Sequence, residues 1–146
     1  MTAAAASAVT SRQAVLEDLA ARSIQLLETN ELPERLFADD VFVDFTMPLW
    51  RLQAQGPDEL LALRRQGHPC RGTVPRHRLD LTERGFVLEV EERWTDDAGE
   101  QWYCRELLRA DVSEAGLITQ LTVYCTGDWD SAQVAQHARE VTLIAP

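Results

Sequence analysis

The sequence predicts an α+β domain in which helices pack on one face of a bent, mostly antiparallel sheet. Three observations carry this. Apolar residues recur at helical spacing over the first third, at Val15, Leu16, Leu19, Ile24, Leu26 and Leu27. The second half alternates apolar and polar residues in runs broken by turn residues. The order of these pieces is helix, helix, strand, helix, then a meander of strands.

Residues 1–9 are small and apolar, with no basic start and no long hydrophobic run, and read as a flexible tail rather than a signal peptide or membrane span. A single domain is expected over residues 10–146. Its first helix spans 10–30, with Thr10 or Ser11 as N-cap and Asn30 at its end. Residues 31–38 suggest a second short helix. Val41–Thr46 reads as a strand, and residues 47–55 as a loop carrying Trp50 and Arg51. Gly56-Pro57-Asp58-Glu59-Leu60 opens a further helix, with proline and acidic residues suited to a first turn. It ends near Gly67-His68-Pro69.

The strands that follow have readable faces. His77, Leu79 and Leu81 share one side, as do Phe86, Leu88, Val90, Glu92 and Trp94 on the next strand. A two-residue turn at Arg84-Gly85 pairs His77 with Glu92. After Asp96-Asp97-Ala98-Gly99, the row Trp102, Cys104, Glu106, Leu108 and Ala110 faces the same way. Centring that turn on Ala98 puts Glu106 diagonal to Glu92, and Glu91 opposite Arg105 on the outer face. Residues 117–125 form the last strand, and Asp128 or Asp130 caps a helical segment over 131–140.

One histidine and two glutamates therefore interrupt a face that otherwise reads as core. His77 beside Glu92 suits a proton-shuttling pair, and equally a buried pair that satisfies itself by hydrogen bonding. Glu106 close to Glu92 would separate two carboxyl pKa values into an acid and a base, or would simply be bonded within the core.

Composition bounds the function. The chain has 146 residues, 45% of them hydrophobic and 26% charged, with formal net charge −10. That charge argues against a phosphate-backbone partner, and all 14 basic residues are arginine. Cys70, Cys104 and Cys125 are far apart and odd in number, which points to reduced thiols and a cytoplasmic location. His68 and Cys70 alone make too small a set for a metal, so neither metal nor organic cofactor is expected.

Leu36-Phe37-Ala38-Asp39-Asp40, Gly56-Pro57-Asp58-Glu59-Leu60, the acidic hairpin at 96–100, and Glu114-Ala115-Gly116-Leu117-Ile118 running to Tyr124 carry a resemblance. Over Val15 to Tyr124 the chain resembles the nuclear transport factor 2-like superfamily, and within it the SnoaL-like group. The resemblance implies a cone-shaped fold around an apolar pocket and a homodimer through the sheet face. It also implies activities such as cyclase, isomerase, epoxide hydrolase or dehydratase, alongside members with none. The ketosteroid isomerase base falls at Phe45, its protonated aspartate at Leu108 and its tyrosine near Gln25. The limonene epoxide hydrolase carboxylate falls at Val123. Both catalytic sets are thus missing, and those positions become expected pocket lining.

The expectation is a cofactor-independent enzyme of cyclase, isomerase or dehydratase type, acting by general acid–base catalysis on a hydrophobic, polyketide-like metabolite. His77, Glu92 and Glu106 are its expected catalytic residues. Phe45, Trp50, Leu88, Val90, Trp94, Cys104, Leu108 and Val123 are expected to bind substrate. The alternative is a non-catalytic ligand-binding or accessory protein using the same pocket. Asp44, Arg51, His68 and Tyr124 receive no firm role, although a capping role suits His68.

Overall fold

In a computed structural model, residues 3–146 are described. Helix α1 spans Ala3–Thr29, so the stretch expected as a tail is helical from Ala3 onward. Alanine has the highest helix propensity, and a run of it extends the helix toward the N-terminus. The buried stripe Leu16, Leu19, Ala20, Ser23, Leu26 and Leu27 follows the helical repeat and presses on the sheet. Arg12 holds the helix to the far end of the sheet by donating to the Ser113 and Val112 carbonyls at 3.2 and 3.1 Å.

The end of α1 is built by Asn30, whose positive φ of 56° gives the left-handed turn common after a helix C-terminus. The short helix expected over 31–38 is absent. Pro33 and the positive φ of Arg35 break the chain, and strand β1 runs over Phe37–Thr46 instead. The expected loop at 47–55 is likewise corrected: after a tight turn at Met47–Trp50, strand β2 (Arg51–Gln55) pairs antiparallel with β1. Its alternation survives in Leu52 and Ala54, which face Phe45 and Val43 across the pair.

Helix α2 (Pro57–Gly67) follows as expected. Strands β3 (Gly72–Leu81), β4 (Gly85–Thr95), β5 (Gln101–Val112) and β6 (Ile118–Cys125) form the meander, and α3 (Ser131–Glu140) closes the chain. Asp130 caps α3 in a reciprocal box with Gln133. The six strands lie in the order β2-β1-β6-β5-β4-β3, antiparallel except where β1 meets β6. The inner face of this open mixed sheet, with α1 and α2, encloses the main core around Phe86, Leu88, Val90, Leu19, Leu36 and Ile118. The α+β expectation holds. Among the described residues, no helix is long and apolar enough to cross a membrane.

The β4–β5 register matches the sequence reading: Glu91 faces Arg105, and Glu106 faces Val90, diagonal to Glu92. The β3–β4 register does not. Leu81 pairs with Phe86, so the turn has Glu83-Arg84 at its tip, one residue earlier than expected; Thr82 N–H donates to the Gly85 carbonyl at 2.9 Å and Gly85 N–H to Thr82 Oγ1 at 3.0 Å. Gly85 is required there, because a Cβ would lie 2.1 Å from the Ala110 carbonyl oxygen. Moving the centre of the turn by one residue slides the pairing by two, so His77 faces Val90 rather than Glu92. His77 also stands on the edge strand and is exposed. The His77–Glu92 pair therefore does not form.

Candidate functional site

The histidine that reaches Glu92 is His68, four residues after Arg64 at the end of α2. Residues i and i+4 share a helix face, so Leu60, Arg64 and His68 form one stripe turned toward the sheet. Arg64 is buried and fully engaged. Its Nη1 and Nη2 donate to Glu92 Oε1 and Oε2 at 2.9 and 2.5 Å, its Nε to Asn30 Oδ1 at 3.1 Å, and its Nη2 also to the Leu27 carbonyl at 2.8 Å. This two-pronged contact is the strong geometry for a guanidinium and a carboxylate. Asn30 completes the clamp, donating from Nδ2 to the His68 and Cys70 carbonyls at 2.6 and 3.0 Å. The turn that ends α1 thus fixes the end of α2, and with it both cationic side chains.

His68 Nε2 lies 2.9 Å from Asp128 Oδ1, contributed by the loop after β6. Its Nδ1 is 3.7 Å from Glu92 Oε2, a charge contact but too long for a hydrogen bond. The ring packs against Trp94 with centroids 4.3 Å apart. Burial alone would discharge the imidazole, but Asp128 and Glu92 outweigh it and raise the pKa to about 9. For Glu92, burial pushes upward, yet His68 and Arg64 hold the carboxyl down at about 2. Glu106 differs: burial, then the negative charge of Glu92, push its pKa well above the ordinary carboxylate value. The cluster thus favours an ionised Glu92 and a charged His68, and drives Glu106 toward its neutral, proton-bearing form.

Two atoms in this cluster are buried and lack a hydrogen-bond partner: His68 Nδ1 and Glu106 Oε1. Both residues line a cavity of about 420 Å³ between α1, α2 and the inner face of the sheet. Its remaining wall is largely apolar, and Phe45, Trp50, Leu108 and Val123 lie on it as expected from the sequence. Trp50, 66% exposed, stands beside the still more exposed Leu49 at the β1–β2 turn. Four of the expected lining residues are placed elsewhere. Leu88 and Val90 lie in the main core, while Trp94 and Cys104 form a second small core with Cys125. Shared face is not shared depth: these side chains point inward, but helices and neighbouring strands cover them. Glu92 also stands behind the wall, joined to it by Arg64 and His68.

Asp44 and Arg51 pair with each other at the surface, at 2.6 Å. Tyr124 is exposed on the outer face. A wider groove of about 740 Å³ on that face is lined by Arg76, Arg93, Arg105, Tyr103, Trp129 and His137, among others. Its arginines are already engaged, Arg76 with Glu91, Arg105 with Glu89 and Arg93 over the Tyr103 ring. The inner cavity is the better candidate, because there Glu106, driven toward its proton-bearing form, and His68 converge in a desolvated space.

Arg64, His68 and Asp128 are the site residues that strand-by-strand reading missed. The one available signal was in α2, where Arg64 interrupts the apolar positions Leu60, Leu61 and Leu63 four residues before His68.

No protein-family model matches the chain, and no curated protein sequence matches it. Solved structures do. A protein from Xanthomonas campestris pv. campestris inferred to be a polyketide cyclase superposes with a TM-score of 0.59 at 17% identity, covering 77% of this chain and 90% of that one. A protein from Kribbella flavida DSM 17836 inferred to be a ketosteroid isomerase gives 0.55 at 20% identity, covering 90% and 91%. RV0760c from Mycobacterium tuberculosis, solved with estradiol-17beta-hemisuccinate, gives 0.54 at 18% identity, covering 82% and 96%. An NTF-2 like protein of unknown function from Burkholderia xenovorans LB400 gives 0.53 at 16% identity, covering 92% and 98%. At such identities the likeness speaks for architecture and leaves the chemistry to the site. The chain has the nuclear transport factor 2-like fold.

Proposed function

We propose that the protein is a small-molecule enzyme of cyclase, isomerase or dehydratase type, acting on a hydrophobic, polyketide-like metabolite by acid–base catalysis. The observation that carries this reading is the pair of unpartnered buried atoms, His68 Nδ1 and Glu106 Oε1, at an otherwise apolar cavity. A buried polar group without a partner costs about 1–3 kcal/mol. Both fall where a substrate oxygen would meet them.

The roles follow from position. Glu106 gives its proton, or a hydrogen bond, to a carbonyl or departing hydroxyl oxygen of the substrate. His68 supplies a second donor, held by Asp128. Glu92 stays ionised under the grip of Arg64 and balances the positive charges rather than accepting a proton. His77, expected from the sequence, has no part, being exposed on the edge strand. The cluster offers an acid but no strong base, which favours acid-initiated chemistry on an enol: loss of water from the enol of a β-hydroxy carbonyl compound, or its ring closure onto a carbonyl, with the Glu106 proton given to the oxygen and the enol O–H proton returned to its carboxylate. Phe45, Trp50, Leu108 and Val123 would hold the apolar body. A homodimer through the outer sheet face and a cytoplasmic location belong to the same proposal.

The test is incubation with a panel of hydrophobic β-hydroxy ketones and linear polyketide mimics, read by mass spectrometry for binding and for conversion. Glu106→Gln should lower turnover by about 10²- to 10⁴-fold while binding persists. Turnover at the wild-type rate in that variant would remove Glu106 from the mechanism. Tight binding with no conversion of any compound would leave the protein as a ligand-binding or accessory protein.

A further inference from the structure

At and just behind the cavity wall, His68 and Glu106 meet more ligand chemistry than proton transfer uses. One ring nitrogen of His68, one oxygen each of Glu92 and Glu106, and Cys104 Sγ all lie within 4.8 Å of one another, and all four residues are buried. A tetrahedral zinc shell, with Zn–N about 2.0 Å and Zn–S about 2.3 Å, sets its ligand atoms roughly 3.3–3.8 Å apart. Side-chain adjustments of about an ångström would close it. Imidazole, thiolate and carboxylate together suit a zinc-class ion, whereas magnesium and calcium take oxygen ligands alone.

Two further observations point to a ligand here. His68, 5% exposed, and Glu106, 3% exposed, each have a buried atom with no hydrogen-bond partner, Nδ1 and Oε1 respectively. The other nitrogen of His68 is already held by Asp128 at 2.9 Å. That is the carboxylate–histidine arrangement that aims the remaining imidazole nitrogen at a metal. Glu92, by contrast, has both oxygens taken by Arg64, which also neutralises that guanidinium. This leaves three protein ligands and a fourth position, the pattern of zinc sites that keep one place open.

We propose that His68 Nδ1, Cys104 Sγ and the Glu106 carboxylate bind one divalent zinc-class ion, with Asp128 orienting His68 and the fourth position open to the apolar cavity. Binding sends the thiol proton of Cys104 and the carboxyl proton of Glu106 to solvent, and any proton on Nδ1 with them. The ion takes the place of the acid proton on Glu106. The metal-loaded and acid-catalytic states therefore exclude each other, and zinc acts on the proposed enzyme as an inhibitor.

The test needs no substrate. The whole chain, stripped with chelator, is titrated with Co²⁺, whose thiolate charge-transfer absorption reports sulfur ligation, and then with Zn²⁺ in competition. One ion per chain is expected, with the sulfur band present. Cys104→Ser should lose the band and bind at least about 10-fold more weakly. Glu106→Gln and Asp128→Asn should keep the band and weaken binding about 10- to 100-fold. Cys125→Ser, opposite Glu106 and diagonal to Cys104 across β5 and β6, should keep the band. Circular dichroism identifies any variant that fails to fold, and Cys104→Ala then replaces Cys104→Ser. Absence of the band in wild type, its survival in the Cys104 variants, its loss in Cys125→Ser, or unchanged affinity in both Glu106→Gln and Asp128→Asn would each overturn the assignment. Because every readout is on substrate-free protein, the catalytic reading stands or falls separately.

Discussion

Removing both partners of the Arg64–Glu92 pair should destabilise the protein by less than the two single losses added together. Their side chains are 12% and 4% exposed, so neither charge can be left to water. Glu92→Met strands a buried guanidinium, and Arg64→Met strands a buried carboxylate while also orphaning Asn30 Oδ1 and the Leu27 carbonyl. Breaking a buried pair typically costs about 3–5 kcal/mol. The Glu92 pKa, held at about 2 against an ordinary 4.5 by His68 and Arg64 together, points the same way. With a urea slope of about 2 kcal/mol/M, each single variant should lose about 2 M in unfolding midpoint. The double variant Arg64→Met, Glu92→Met should fall short of the summed losses by at least about 1 kcal/mol, since no lone charge remains. The sign with pH is fixed as well. The folded-state pKa of Glu92 is depressed, so its contribution is complete above 4.5 and is lost as pH falls through about 2. Equilibrium urea unfolding of the three variants at neutral pH, with the slope monitored, decides the matter. Single losses under about 1 kcal/mol, or strict additivity, would refute the view that these charges are buried and interdependent.

Glu106→Leu should raise stability by about 1–3 kcal/mol, because it deletes a buried oxygen without a partner, while abolishing any turnover; urea unfolding and product analysis read the two effects. Gly85→Ala should cost about 1–3 kcal/mol in the same unfolding assay, since its Cβ would meet the Ala110 carbonyl oxygen at 2.1 Å. Trp50→Ala should weaken binding of apolar ligands in a fluorescence or calorimetric titration and leave the thermal midpoint unchanged, the side chain being 66% exposed beside the cavity. His77→Ala should change neither stability nor turnover, in contrast to His68→Ala, which should depress turnover.

Much of the fold was legible because it depends on periodicity. Parity placed Leu88, Val90, Glu92 and Trp94 on one face and Glu106 diagonal to Glu92, and neither depends on distant contacts. What failed depended on where a turn is centred and on three-dimensional cover. A turn centred one residue earlier preserves which face each residue takes but moves its partner by two, so Leu79 meets Leu88 and His77 meets Val90. Strand β2 escaped notice because only Leu52 and Ala54 mark its alternation among polar neighbours. His68 was hidden for a different reason. It belongs to the end of a helix, and its partners Glu92 and Asp128 lie 24 and 60 residues away along the chain.

The residues that broke the expected pattern were still the right place to look. A sequence normally keeps local preference and global fold in agreement, and departures concentrate where function demands them. Glu92 and Glu106 sit where the alternation calls for Val or Leu, and Arg64 sits on the apolar stripe of α2. These three mismatches, read separately, have three separate bland explanations. Their convergence around His68 has one: His68 and Arg64 keep the first glutamate ionised, and burial together with that negative charge drives the second glutamate toward its protonated form. Glu92 is then needed for the state of Glu106 without touching substrate. Glu92→Gln should accordingly lower the pKa of Glu106 toward the ordinary carboxylate range, although His68 also loses a charge partner. Infrared spectroscopy of the Glu106 carboxyl band against pH would see this directly. A protonated-acid band unmoved by Glu92→Gln would mean that burial alone sets its charge, and that the mismatches are independent after all.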